Sequence, residues 1–257
     1  MASPTISVVN YHLNGYARTW RGTVLSSFVM PVLFVVGFGI SVGSLVNAGG
    51  RLGGGLTYLQ FIAPGMIAST ALQLAFGEAT WPALSRFEWN RIYESMAATP
   101  LRIRDILGGD ILFMLFRIVT TSAVFLGVTA LFGAIQSWWG LLVPLICGLL
   151  GISFAAPMFA LTGAVKTGNA FAFIGRFLVI PMTLFAGVFF PVSALHEGVR
   201  WLAYISPLWH GVQLCRAATS TDHGSLAAAA EHVAYLLLWA LVGGALAYRS
   251  FTRRLAD

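Results

Sequence analysis

The sequence predicts an all-α polytopic membrane protein with six transmembrane helices. Three observations carry that reading. Hydrophobic residues make up 58% of the 257 and charged residues only 9%, against about 45–50% and about 25% in an average soluble domain, and mean hydropathy is +0.81. Uncharged runs recur at lengths suited to a bilayer core, which takes about 20 helical residues. The arginines gather in the connections between those runs.

Thr5–Trp20 spaces Ile6, Val9, Leu13, Tyr16, Ala17 and Trp20 at helical intervals, with His12, Asn14 and Arg18 among them, which predicts an interfacial helix. Thr23–Val46 carries no charge for 24 residues and is the first expected span. Its Gly39 and Gly43 stand at a small-xxx-small spacing that lets helices approach closely. No small-x-small cleavage site follows this run, so it is expected to stay as a span. Asn47–Leu56 is a glycine-rich loop with one arginine, Arg51, and Thr57–Ala83 is the second span, with Pro64 and Gly65 predicting a kink.

The stretch Glu78–Asp110 concentrates charge, with four of the fifteen Lys+Arg and five of the nine Asp+Glu. Within it, Ser85–Ala98 is expected to form one short amphipathic helix across the membrane face. Phe87, Ile92 and Met96, with Trp89 and Tyr93 between them, supply its apolar side; Glu88, Arg91 and Glu94 supply its polar side. Pro100 ends it by disfavouring helical geometry in the residue before. Such a helix is placed to receive force from a soluble partner.

No charge occurs between Arg117 and Lys166, and those 48 residues exceed one span. Gly133–Gly140 (GAIQSWWG) supplies a turn with two interfacial tryptophans. This sets the third span at Ile106–Leu131 and the fourth at Leu141–Val165, with Lys166–Asn169 a tight loop and Phe171–Phe190 the fifth. Pro191–Asp222 mixes apolar patches with His196, Glu197, Arg200, His210 and Arg216, and is expected to form two short helices dipping into the outer leaflet. Dips of that kind need protein or water over their polar backbone. The sixth span is Leu226–Tyr248, whose uncharged part, Val233–Tyr248, is only 16 residues. Eleven basic residues then fall on the side of the termini and three on the other, which sets both termini in the cytoplasm.

The net charge of +6 does not form a continuous basic stripe, which argues against a nucleic-acid partner. Cys147 and Cys215 give no disulfide framework. The single lysine, Lys166, precedes Thr167, but the glycines that a phosphate-binding loop needs before it are Val165 and Ala160, so this chain lacks that ATPase motif. The histidines show no metal-ligand spacing, and no nucleophile, base and acid fall into a catalytic pattern. Glu78 and Arg117 each lie on the order of 10 Å into the bilayer at the usual rise of a helix. They are expected to pair, either lining a polar path or holding two helices together.

Three stretches, FIAPGMIAS (Phe61–Ser69), YESMAATPLRIRDILGGD (Tyr93–Asp110) and LFAGVFFPVSALHEGVRWLAYISPLWHGVQLCRA (Leu184–Ala217), resemble the permease subunit of ABC-2 type transporters. The resemblance is to the branch with the nodulation-factor and daunorubicin-type export permeases, and covers nearly the whole chain. Ser206 stands before Pro207 where that family often has Asn. The resemblance implies a type V exporter fold: an interfacial helix, six spans, a coupling helix at 85–98 and a re-entrant hairpin at 191–222. It also implies a bacterial plasma-membrane location and two permease chains, identical or not, with two separate ATPase subunits that hold ATP and Mg. Glu88, Arg91 and Glu94 would enter a groove of the ATPase. The first and fifth spans would meet across the dimer through Gly39, Gly43 and Gly187. Phe34, Phe38, Phe185 and Phe189 would line the path of a lipophilic drug, lipid or lipid-linked saccharide amid membrane lipids. A stand-alone carrier or channel would carry more intramembrane charge, and a membrane enzyme would carry a catalytic cluster.

Overall fold

A computed structural model describes residues 3–48, 56–221 and 223–256, so Arg51 and Asp222 lie outside the described residues. Helix α1 spans Pro4–Phe34 and continues without a break through a π-helical segment, Val35–Val42, into α2, Gly43–Ala48. The expected separate interfacial helix at Thr5–Trp20 is therefore corrected to the first half of one long helix. The only candidate break, Gly22, costs about 1 kcal/mol in a helix interior and does not by itself end one. The widened π segment begins shortly after Pro31, whose missing N–H already interrupts the hydrogen-bond ladder.

Helix α3, Tyr58–Ala79, opens on a capping box in which Thr57 and Gln60 satisfy each other's backbone N–H groups. Thr80 leaves helical geometry, and α4, Trp81–Glu88, follows. Next comes α5, Ile92–Ala97, so the single helix expected over Ser85–Ala98 is corrected to two short helices. Arg91 separates them in left-handed geometry at φ 47°, a region that ordinary side chains enter only at a cost. The break changes which side chains face inward. Phe87 and Tyr93 are buried, whereas Trp89, expected on the apolar side, is 68% exposed.

Helix α6, Ile103–Leu131, lies against α1. A methyl added at Gly109 would stand 2.5 Å from the Val8 side chain. Close approach through small residues is how helices associate in lipid, where apolar faces gain little by turning away from lipid tails. At the centre, α7, Val143–Ala164, packs along α12, Leu226–Ala256, and also meets α3, α6 and α11, Pro207–Thr219. Between α7 and α12, Gly243 sits against the Pro157 ring with no room for a Cβ.

The stretch from α8, Asn169–Ile174, through a π segment, Gly175–Val179, to α9, Ile180–Phe185, is helical. It ends five residues before the expected Phe190. Gly187 explains the end, because its φ of +78° turns the chain out of the helix. Helix α10, Glu197–Ile205, is capped by His196 and leads to α11, capped by Ser206. Among the described residues, five helices are long and apolar enough to cross a membrane, and Asn169–Phe185 is a shorter apolar helix.

The bundle has two unlike ends. The start of α1, helices α4 and α5, the start of α6 and the end of α12 gather at one, here termed the basal end. The turn after α9, helices α10 and α11 and the start of α12 gather at the other, the distal end.

Candidate functional site

The basal end is built around Asp110, which lies in the second turn of α6 and is only 3% exposed. Its Oδ1 is 2.5 Å from His12 Nε2 of α1 and 3.3 Å from Arg86 Nη1 of α4. Its Oδ2 accepts a hydrogen bond from the Tyr93 hydroxyl of α5, and Arg86 donates to that hydroxyl at 3.3 Å. A buried carboxylate is tolerated only when paired and hydrogen-bonded. Here three other helices supply the partners. Burial first, then the neighbouring carboxylate charge, pushes the Tyr93 phenol well above its ordinary pKa, so it remains a proton donor. Nearby, Thr5 donates to Asp105 at 3.0 Å, fixing the start of α1 to the start of α6.

Arg254, in the last turn of α12, makes the second junction. It pairs with Glu88 of α4, donates at 2.7 Å to the carbonyls of Thr162 and Val165, and lies 4.2 Å over the Phe87 ring. It thereby neutralises carbonyls left unpaired at the end of α7. Phe87 also packs edge-on against Tyr93 and Phe251, at 4.5 and 4.9 Å. The inward faces of α4 and α5 are thus fixed to α1, α6, α7 and α12. Their outward face carries Trp89, Arg91 and Glu94, with the Arg91 and Glu94 side chains 75% and 56% exposed and 3.9 Å apart. Glu88, expected to project freely with Arg91 and Glu94, is instead held by Arg254, with its side chain one-third exposed.

An open cleft of about 640 Å³ lies between α1 and α4, with Tyr16, Arg86 and Arg117 in its wall. Arg117 pairs there with Glu78, joining α6 to α3, and its guanidinium stands 5.9 Å from the Tyr16 ring centre. The Glu78–Arg117 pair was legible from depth and sign. The Asp110 network was missed, although a lone carboxylate in the apolar run ILGGDILF was a signal of the same kind. Among the described residues no group of three or more His, Cys, Asp or Glu could hold a metal ion.

The four expected path phenylalanines divide. Phe34 stacks on Phe38 at 4.8 Å, and Phe38 lies 6.0 Å from Phe189 within the same chain. Phe185 instead lines a separate apolar cavity of about 320 Å³ with Phe154, Met158 and Trp239. Gly39 faces Leu59 of its own chain, where an added Cβ would stand 2.8 Å from the side chain, and Gly43 is buried within the chain. Gly187 is corrected from a helix-packing position to the turn after α9, where its carbonyl accepts a 2.9 Å bond from Arg216.

At the distal end, His210 Nδ1 of α11 and His232 Nδ1 of α12 are 2.8 Å apart, and His210 Nε2 is 3.0 Å from the Tyr204 carbonyl. Tyr235 stacks on His210 at 3.8 Å. Burial lowers the His210 pKa from its ordinary value. The neutral ring therefore gives its proton to the carbonyl through Nε2 and accepts from His232 through Nδ1.

Several long apolar helices, with a buried polar network at one end and an exposed segment fixed to that network, define a multi-pass membrane protein. The chain belongs to the ABC-2 type transporter family, whose model matches residues 5–219. It is 30% identical to nodulation protein J of Rhizobium leguminosarum bv. trifolii over 202 residues, covering 77% of this chain and 75% of that one. It is 28% identical to nodulation protein J of Sinorhizobium fredii over 251 residues, covering 97% and 93%. The inner membrane transport permease YadH of Escherichia coli is 23% identical over 206 residues, covering 76% and 75%. This chain is accordingly a transport permease subunit of a membrane transporter.

Proposed function

We propose that the chain is the membrane half of an ATP-driven exporter, with ATP and Mg held by a separate ATPase subunit that docks on the outward face of α4 and α5. The observation that carries the proposal is the two-faced character of that segment. Arg91 and Glu94 are free to meet a partner, while Arg86, Glu88 and Tyr93 tie the same segment to α1, α6 and α12. A push on the outward face would then be delivered to several membrane helices through short polar contacts, buried at Asp110 and half-buried at Glu88. Distributed side-chain contacts transmit force well when they are close-packed and fully paired.

In this reading Asn169–Phe185 with the turn after it makes a sixth crossing, and both termini face the cytoplasm of a bacterial inner membrane, as the excess of arginine at the basal end supports. Two chains associate to form the path, and the cargo is a lipophilic drug, lipid or lipid-linked saccharide. The apolar outward side chains of the first span, among them Met30, Leu33 and Val36, support an intermolecular contact there.

The test is co-purification of the ATPase subunit with the full chain in mild detergent. Reversing both charges, Arg91→Glu with Glu94→Arg, should reduce the recovered ATPase at least tenfold while the permease keeps its melting temperature. Undiminished recovery would place the docking surface elsewhere.

A further inference from the structure

At the basal end, on the side of α12 away from the Asp110 network, the end of α7 and the last turns of α12 enclose a cleft of about 540 Å³. Its inner wall is apolar, from Ala160, Ala164 and Leu246, and its polar lining includes Lys166, Arg249 and Arg253. Lys166, Arg249 and Arg253 are exposed, and among the described residues no carboxylate lines the cleft. The fourth cation there, Arg254, is already held by Glu88 and by the carbonyls ending α7. Three cations around one concavity, with no carboxylate beside them among the described residues, repel one another unless an anion sits among them.

Depth identifies the kind of anion. Arg249 directly follows the uncharged part of α12, Val233–Tyr248, and Lys166 directly follows the uncharged run that ends α7. Both cations therefore stand where the apolar surface of the helices ends, at the level of lipid headgroups. Below them the cleft continues as apolar wall, which suits an acyl chain and offers nothing to a free ion. Basic pockets between transmembrane helices commonly hold anionic headgroups on these terms.

We propose that this cleft is a binding site for an anionic phospholipid, whose headgroup phosphate lies among Lys166, Arg249 and Arg253 and whose acyl chain lies along Ala160 and Leu246. Occupancy would brace α12 on α7 beside Arg254. The site does not depend on an ATPase partner, so its test stands apart from the docking test above.

The experiment is native mass spectrometry of the full chain purified in detergent and offered phosphatidylglycerol and phosphatidylethanolamine in equal amounts. The wild type is expected to retain phosphatidylglycerol at least fivefold over phosphatidylethanolamine. The triple variant Lys166→Gln, Arg249→Gln, Arg253→Gln should bring that ratio close to one, while Arg18→Gln with Arg21→Gln, which removes the same kind of charge from α1 outside the cleft, should leave it unchanged. An unaltered ratio in the triple variant would overturn the proposal, as would an equal fall in the control. Displacement of the lipid by millimolar inorganic phosphate would also overturn it, by assigning the cleft to a free anion. A triple variant that keeps its lipid but loses the ATPase subunit would assign the surface to protein docking and overturn it too.

Discussion

Asp110 is the residue on which the basal end depends, because its two oxygens are shared by His12, Arg86 and Tyr93 from three other helices. Asp110→Ala leaves the largely buried Arg86 guanidinium without its counter-charge. Removing one partner of a buried pair costs roughly 3–5 kcal/mol. Thermal unfolding of the purified full chain should register that loss, and a shift no larger than for an exposed control such as Glu94→Ala would contradict the network. Glu78 and Arg117 call for a different measurement, since here both partners can be removed. Glu78→Gln and Arg117→Gln should each destabilise, while the double variant should be more stable than the sum of the two predicts. Simple additivity would mean the pair contributes no coupling. The sequence exposed this second pair because two opposite charges at matching depth stand out in an apolar background. Asp110 escaped notice because its partners, His12 and Tyr93, lie in segments that read locally as amphipathic surface.

At the scale of elements, the sequence read the existence of helices well and their ends less well. The alternation of apolar and polar residues over Ser85–Ala98 is a sound helical signal. What it could not show is that Arg91 adopts a left-handed backbone and resets the register, turning Glu88 towards Arg254 and Trp89 outward. Gly187 likewise reads as a small packing residue, and only its positive φ reveals a turn. At the distal end the His210–His232 contact joins the hairpin α10–α11 to α12. Folding lowers the His210 pKa below its usual value of about 6.5, so the folded chain takes up this proton less readily than the unfolded one. Its contribution is therefore fully present above about pH 6.5 and is lost as pH falls through the folded value. Protonated His210 would also set an N–H against the His232 N–H. Glu231 and Tyr235 flank the pair, and Glu231 offsets part of this effect by favouring the charged form of His210. Protease cleavage or hydrogen exchange in α10 should rise between pH 7.5 and pH 5.5 in the wild type, and His210→Phe should flatten that dependence. A wild type whose exchange is independent of pH would remove the histidines from any latch role.

For the whole molecule, composition and the spacing of charge were enough to read a helical membrane protein, because the bilayer imposes length and polarity on every segment. Contacts between distant segments were not readable. Cys147 and Cys215, 68 residues apart in the chain, come to 4.0 Å between sulfurs, and Arg254 reaches Glu88 from 166 residues away. Neither contact leaves a periodic trace. The same holds for the aromatic path, where Phe185 separates from Phe34, Phe38 and Phe189 because α9 presents it to α7 and α12 instead. For the proposed dimer, the exposed side chains Leu33 of the first span and Leu184 of α9 are the suited reporters. Cysteines at those two positions should crosslink between chains, and failure there and at Val36 with Ile180, in an intact complex, would move the interface. The central claim is that the outward face of α4 and α5 receives the ATPase while the inward face holds the helices. Photocrosslinking from single positions in the assembled membrane complex addresses it most directly. A photoreactive residue at Arg91 or Glu94 should capture the ATPase subunit, and one at Glu88 should capture only the permease itself. Crosslinks to the ATPase from Glu88 or Lys166, with none from positions 89 to 94, would contradict the account.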